Sequence, residues 1–382
     1  MYIVKLIKTA LVLIIIVCAI KLFIFHYYRS QKLGIPPGWD FIQLYSASVL
    51  AQQGYAFSAY NFDILSSVES AIAGFKVKLS PLFLVWNYPP SFLLLILPLS
   101  ILPYNVAIVL WLSIFFLSYL VVLYRIAPTP LTLWVAIAFP ATYWNLIHCQ
   151  NGFFFGTLLG AGLFLLHRKP LVSGILLGLV TCKPHIASII PLALIAGRQW
   201  KALASMVTMV LVLFVSSAML FGLKTWKAFL ENTPYVRLIL ESGAVQWHKS
   251  PSIFATACML SASVNTAYFL QLLSAIIAIG VVCYIWWRIR EPEISNSLLV
   301  IGILLSTPYL LVHDLTLLAI PLAYFVWQNY DKNLKLHEVI VLSLAWNLPL
   351  IAFQTHVQIG PFILIAFMVI ILRRARHMSE HG

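Results

Sequence analysis

Apolar runs of membrane-spanning length, separated by short polar and basic clusters, dominate this chain. A helix needs about 20 apolar residues to cross a bilayer. Runs that meet or nearly meet that length cover residues 7–27, 104–124, 130–147, 152–167, 201–221, 265–287, 295–312, 314–328, 337–353 and 357–372. Two shorter runs, 170–182 and 185–197, meet at Lys183-Pro184-His185. The pattern predicts an all-α polytopic integral membrane protein with about twelve crossings. Membrane barrel strands would alternate instead of running continuously apolar.

Residues 88–103, YPPSFLLLILPLSILP, are predicted not to cross. Prolines bound the segment at both ends and leave about 13 residues between them, too few to span. It reads as a juxtamembrane or re-entrant helix on the outer side. With the amino terminus inside, beside Lys5 and Lys8, the short basic loops then all fall in the cytoplasm, as the positive-inside rule requires. They carry Arg125, Arg168 with Lys169, Arg198 with Lys201, Arg288 with Arg290, Lys332 with Lys335, and Arg373, Arg374 and Arg376. Both termini are thus expected to be cytoplasmic in a multi-pass protein of the cell (inner or plasma) membrane. Residues 1–382 form one transmembrane domain, with outer-face loops at 28–103 and 222–264 and no internal repeat. The first run, with no small-residue cleavage site after it, reads as an uncleaved helix.

Composition sharpens this picture. The chain is 62% hydrophobic with only 9% charged side chains, where a soluble domain has about 25%. Mean hydropathy is +0.95. The formal net charge of +13 sits in short loops, so it reports orientation and anionic lipid and gives no reason to expect a nucleic-acid partner. The five cysteines contain no C-x-x-C pair and lie in or beside apolar runs, as small packing residues do.

The outer face collects the polar residues that could carry chemistry. Asp40 opens a predicted helix that runs to Gln53 and ends at Gly54. Gln43 and Ala47 share its face at i+3 and i+7. Asp40 is placed as the helix N-cap, a role that still leaves one carboxylate oxygen free. Asp63 and Glu69, in the same loop, compete with it as the acid of a site. Lys183, between Cys182 and a proline, is costly near membrane depth unless it snorkels or faces a cavity or partner. Backbone groups freed at Pro184 could receive an anion such as a lipid phosphate. His313 and Asp314 follow STPYLLV as polar termini or as site residues; being adjacent, they are not automatically a dyad. Gln150 and Asn151 suit sugar hydroxyls or loop capping, and Trp226, Tyr235, Trp247 and His248 an interfacial belt or a stacking platform. No H-E-x-x-H, G-x-S-x-G, P-loop or D-x-D occurs, so neither a metal nor a cofactor is expected.

In their order these residues resemble glycosyltransferase family 87 of the GT-C superfamily. The resemblance rests on D-x-x-x-x-Y-x-A-x-x-x-x-x-x-G (Asp40, Tyr45, Ala47, Gly54) with a following Tyr60, and on Y-P-P (Tyr88, Pro89, Pro90) with an L-P ending at Pro103. It continues in G-x-x-x-G-L-x-x-x-x-K-P (Gly174, Gly178, Leu179, Lys183, Pro184), a basic loop and a late S-x-P before His313. Roughly residues 35 to 330 are covered. Cys149-Gln150 stands where the family has a G-Q turn, and His313 is followed by an aspartate. The resemblance implies a GT-C-like bundle, with juxtamembrane helices in its first outer loop, that takes a hexose, mannose first among candidates, from a polyprenyl-phosphate sugar. Transfer would go to a glycolipid or glycan acceptor on the extracytoplasmic face. The family's acid then falls on Asp40 as general base, its K-P lysine on Lys183, and its late histidine on His313 as donor or phosphate contact. Gln43, Tyr45, Tyr88, Gln150, Asn151, His185 and Asp314 follow as weaker sugar or acceptor contacts. A base for the acceptor hydroxyl and a cation for the departing phosphate are what such a transfer needs, and a single base with direct attack inverts the anomeric centre by analogy with inverting glycosidases. A transporter or flippase of a lipid-linked sugar would share the phosphate site, but the chain lacks two symmetric halves with broken helices.

Overall fold

A computed structural model describes residues 11–17, 20, 21, 24, 38–74, 86–244, 246–289, 291–328, 334–354 and 358–379. Lys5, Lys8, Arg290, Lys332, Thr355 and His356 lie outside the described residues, as does most of the predicted first crossing, 7–27. Every regular element among the described residues is helical. Three helices are long and apolar enough to cross a membrane: Tyr104–Ile126, Trp200–Phe221 and Val264–Arg288. Most of their side chains face outward from the protein, with only 17–28% of each apolar window buried. Apolar surface of that extent needs lipid to cover it, and the chain is membrane-embedded.

The remaining predicted crossings are shorter or broken. Residues 130–147 form two helices, Pro130–Ala138 and Pro140–His148, bent by 55°. Pro140 lacks the N–H that would continue the first helix, so the second restarts there with Pro140 in its first turn. Pro170–Val180, Pro184–Ala187 and Ile190–Ala196 make up the Lys183 region. The helix Pro292–Ser306 is buried on all sides from Ile294 to Leu305, as an apolar-all-round helix should be. It stops before Pro308, and a 3-10 turn over Val312–Leu318 leads into Ala319–Gln328. The predicted 88–103 segment is a helix over Pro90–Ile96 followed by a 3-10 turn over Leu97–Ile101. The stretch 222–264, read from sequence as a loop, contains a 19-residue helix, Leu223–Glu241, with Pro234 inside it. Its composition is too polar to register as a run. Asn232 of that helix donates 3.1 Å to the Trp86 carbonyl and ties it to the first loop.

Pro170–Val180 packs on Trp200–Phe221 through Gly174 and Gly178. A Cβ on Gly174 would overlap the Ala202 carbonyl oxygen, and one on Gly178 would stand 2.7 Å from Met209 Cβ. The G-x-x-x-G spacing is thus a close-packing surface between helices. Gly174→Ala is expected to destabilise by about 1–3 kcal/mol through overpacking. Gly280→Ala, on a helix face with nothing within 4 Å, should instead be neutral or stabilising by up to about 1 kcal/mol. Thermal melts of the two purified variants in one detergent check the contrast.

Charged pairs appear where helices must be fixed to each other. Arg374 grips Glu338 bidentately, at 2.7 and 2.6 Å, joining Gly360–Ser379 to Leu336–Gln354. Glu69, on the helix Phe62–Ala73, is fully buried, and neither carboxylate oxygen has a hydrogen-bond partner among the described residues. Burial pushes its pKa from 4.5 up to about 8. Between those values the unfolded chain releases this proton while the folded protein keeps it, so stability falls as pH rises through that window and levels off above it. The full loss is on the order of 5 kcal/mol. Glu69→Gln should therefore gain melting temperature over the parent progressively from pH 5 to pH 8.5; parallel curves would contradict this reading.

Candidate functional site

The left-handed backbone at Gly38 (φ 75°) starts the helix Trp39–Gln52. A side chain there would collide with Ile108 and crowd Cys149. Gly38 is the cap residue, its carbonyl accepting from Phe41 N at 2.8 Å. Asp40 sits one position inside the helix and caps nothing, contrary to the expectation from sequence. Its carboxylate turns toward a cavity of about 640 Å³.

In that cavity wall Asp40 is held by the last residue of the Pro140–His148 helix and by a residue just beyond it. Gln150 Nε2 donates to Asp40 Oδ2 at 2.7 Å, and His148 Nδ1 stands 3.4 Å from the same oxygen. Oδ1 carries no hydrogen bond or ion pair among the described residues. The left-handed residue Cys149 (φ 52°) between the two partners lets both reach one oxygen. His148 in turn stacks on Trp144, with ring centroids 5.7 Å apart.

Another part of the lining is an ionic cluster brought together from three segments. Lys183 Nζ pairs with Asp314 Oδ1, both almost fully buried at 5% and 2% exposure. Lys183 also donates to Asn151 Oδ1 at 3.2 Å and stands 5.3 Å from the Phe155 ring centroid. His313 Nε2 and His185 Nε2 approach the Asp314 carboxylate at 3.8 and 3.9 Å. The 3-10 turn makes this possible: Leu311 N donates to Asp314 Oδ2 at 3.1 Å, and Asn145 Nδ2 holds the His313 carbonyl at 3.1 Å. His313 and Asp314, which helical geometry would splay apart, thereby converge.

Of the residues singled out from sequence, Asp40, Gln43, Tyr88, Gln150, Lys183, His185, His313 and Asp314 all line this one cavity. Asn151 stands behind the wall and donates to Tyr88 Oη at 2.6 Å. Tyr45 is turned away, its hydroxyl donating to the Leu102 carbonyl at 2.7 Å, and is a packing residue. Asp63 and Glu69 do not line the cavity. Cys149 and Cys182 are free thiols with separate partners, the Leu146 carbonyl at 3.4 Å and Ser91 Oγ at 3.7 Å.

Sequence reading missed His148, Asn87, Lys249 and Tyr309 as lining residues. Asn87 Oδ1 and His185 Nε2 are buried without hydrogen-bond partners, a condition that folded proteins rarely leave unsatisfied and that suits polar ligand groups. Lys249 approaches from the segment after Leu223–Glu241; burial lowers its pKa, and the Asp40 charge works against that shift. In this mostly apolar cavity, which also holds a cationic and imidazole-rich wall, a carboxylate with one free oxygen can take a proton from a hydroxyl while the wall receives an anionic leaving group.

The family model for glycosyltransferase family 87 matches residues 86–313. The match takes in Tyr88, Gln150, Asn151, Lys183, His185 and His313, and begins after Asp40. No curated protein matches the chain, and no solved structure does.

Proposed function

This chain belongs to glycosyltransferase family 87, and we propose that it moves a hexose from a polyprenyl-phosphate sugar to a glycolipid or glycan acceptor. Mannose is our first candidate for the hexose. The reaction takes place on the extracytoplasmic face of the cell membrane, with both termini cytoplasmic. About twelve passages through the bilayer, made of whole, bent and short helices, are consistent with the basic-loop pattern.

Asp40 is the general base. Its free Oδ1 takes the proton of the acceptor hydroxyl; the acceptor's oxygen then bonds to the anomeric carbon as the carbon's bond to the phosphate oxygen breaks. Polyprenyl phosphate leaves with the bonding electrons, and the anomeric centre is inverted. The proton on Asp40 passes afterwards to water. Lys183 and His313, set by Asp314, face the departing phosphate, while Gln43, Tyr88, Asn87 and Gln150 offer hydrogen bonds to sugar or acceptor hydroxyls. Charge stabilisation of this kind acts strongly in a site shielded from water.

The observation that carries this reading is Asp40, anchored through one oxygen by Gln150 at 2.7 Å and lining the same cavity as Lys183. The test is purified protein in nanodiscs given polyprenyl-phosphate [³H]mannose and a membrane glycolipid extract. A labelled product distinct from the donor is expected. Movement of donor between leaflets with no new product, for mannose and for other hexose donors, would replace the transferase reading with a flippase.

A further inference from the structure

A second cavity, of about 440 Å³, is lined by His167, Arg198, Gln199, Trp286, Trp287 and Ser295 among others. It lies at the far ends of helices that begin or finish at the candidate site. Gly152–Leu165 leads from Asn151 to His167, and the short helices after His185 lead to Arg198. Pro292–Ser306 starts beside Ser295 and finishes just before Pro308. Helices of this length span roughly 20 Å, so the two cavities belong to opposite ends of the bundle.

The lining is built in an unusual way. The helix Ile190–Ala196 ends with Gln199 N bonded to the Leu194 carbonyl at 2.8 Å and Arg198 N to the Ile195 carbonyl at 3.0 Å. That closure puts the residue after the cap in a left-handed conformation, a place glycine fills best. Here Gly197 precedes it, and Arg198 itself takes φ 54°. Its guanidinium is exposed and makes no ion pair or hydrogen bond among the described residues. A residue held in a poorly tolerated conformation, with its charge unspent, suggests a role for the side chain.

The surroundings indicate what that charge meets. The Trp286 indole is fixed by donating to the Ser295 carbonyl at 2.8 Å, giving a rigid wall. Trp287 and Trp200 are both 58% exposed, and Arg288 Cζ lies 5.4 Å from the Trp287 ring centroid. Tryptophans beside arginines and lysines are the composition of a membrane–water boundary. Arg168, Lys169, Lys201 and Arg288 flank the lining residues in sequence, as do the acids Glu291 and Glu293; of the Lys, Arg, Asp and Glu side chains among the described residues, Arg198 alone lines the cavity.

We propose that this cavity binds the phosphate headgroup of an anionic phospholipid, with Arg198 as the cation and the Trp286–Trp287 wall beside the glycerol. An arginine at the interface can hold a phosphate bidentately, and a leaflet rich in anionic lipid supplies it. The site is independent of the transferase reading and would stand if that reading failed.

The experiment measures lipid affinity of the full chain in detergent by native mass spectrometry, with melting temperature as a second readout. The probes are phosphatidylglycerol, phosphatidylcholine and inorganic phosphate. Phosphatidylglycerol should bind and raise the melting temperature, phosphatidylcholine should do neither, and Arg198→Gly should lose at least tenfold in phosphatidylglycerol affinity. Glycine is the better residue for that backbone, so a loss in a well-folded variant reports the missing guanidinium and not a damaged helix end. Lys201→Gln, outside the lining, should keep its affinity. Equal binding of the two lipids, undiminished affinity in Arg198→Gly, or an equal loss in Lys201→Gln would each overturn the proposal. Protection by millimolar inorganic phosphate alone, as strong as by the lipid, would assign the cavity to a soluble phosphate and overturn the lipid source. If Arg198→Gly cannot be purified, Trp287→Ala takes its place with the same expected loss, and unchanged affinity there counts against the site.

Discussion

Replacing Asp40 with asparagine is expected to lower the transfer rate by roughly 10²–10⁴-fold, the range for removal of a general base. The change keeps the side chain's shape and leaves an oxygen to accept from Gln150 Nε2, now 2.7 Å from Asp40 Oδ2. Asp40 and its neighbour His148 are 30% and 33% exposed in the cavity wall, so solvent can screen the loss of the charge and the fold should persist. The loss should appear in kcat at saturating donor, with donor KM little changed, because a base acts in the transition state and contributes little to ground-state binding. Product formation within a few-fold of the parent rate, measured with labelled donor in nanodiscs, would remove Asp40 from the mechanism. Asp63→Asn, on the exposed start of the helix Phe62–Ala73 and outside the cavity, should have no effect and serves as the matched control.

Local features of this site were legible in sequence, and long-range ones were not. The helix carrying Asp40 could be bounded from Gly38 and Gly54, because breaking the chain is a property of single residues. What Asp40 touches could not be read, since Gln150 lies 110 residues away and nothing near Asp40 encodes that approach. The N-cap assignment failed for a similar reason: Tyr104 and Cys149 close around Gly38, and the left-handed start that results displaces the cap by two residues. His148 reads from sequence as part of the polar outer face, but nothing local marks it as the partner of Asp40. The helix Leu223–Glu241 was hidden because hydropathy detects lipid-facing segments, whereas this one covers the cavity with its mixed face. Gly174 and Gly178 were noticed through a family resemblance, but their physical task is helix contact. About twelve crossings, two of them from shorter runs, are expected from run lengths; prolines at 140, 184 and 308 divide several runs, and the breaks after 183 and 306 are where Lys183, His185, His313 and Asp314 gather.

Lys183 poses a different problem, because its charge is already matched by Asp314. Removing one partner of a buried ion pair strands the other, at a cost of about 3–5 kcal/mol. Lys183→Met alone is therefore expected to destabilise the protein by that amount, with Asp314 left ionised or forced to protonate at 2% exposure. Loss of activity in that variant would not separate catalysis from folding. The double variant Lys183→Met with Asp314→Asn removes both charges at similar volume and should recover most of the lost stability. Its donor KM then decides the assignment. If Lys183 faces the donor phosphate, KM should remain at least tenfold above the parent value although the melting temperature has returned, a loss of about 1.4 kcal/mol or more in donor binding. If KM returns together with stability, Lys183 and Asp314 are a structural clamp that holds the 3-10 turn, and His313 with Lys249 must supply the positive side of the cavity.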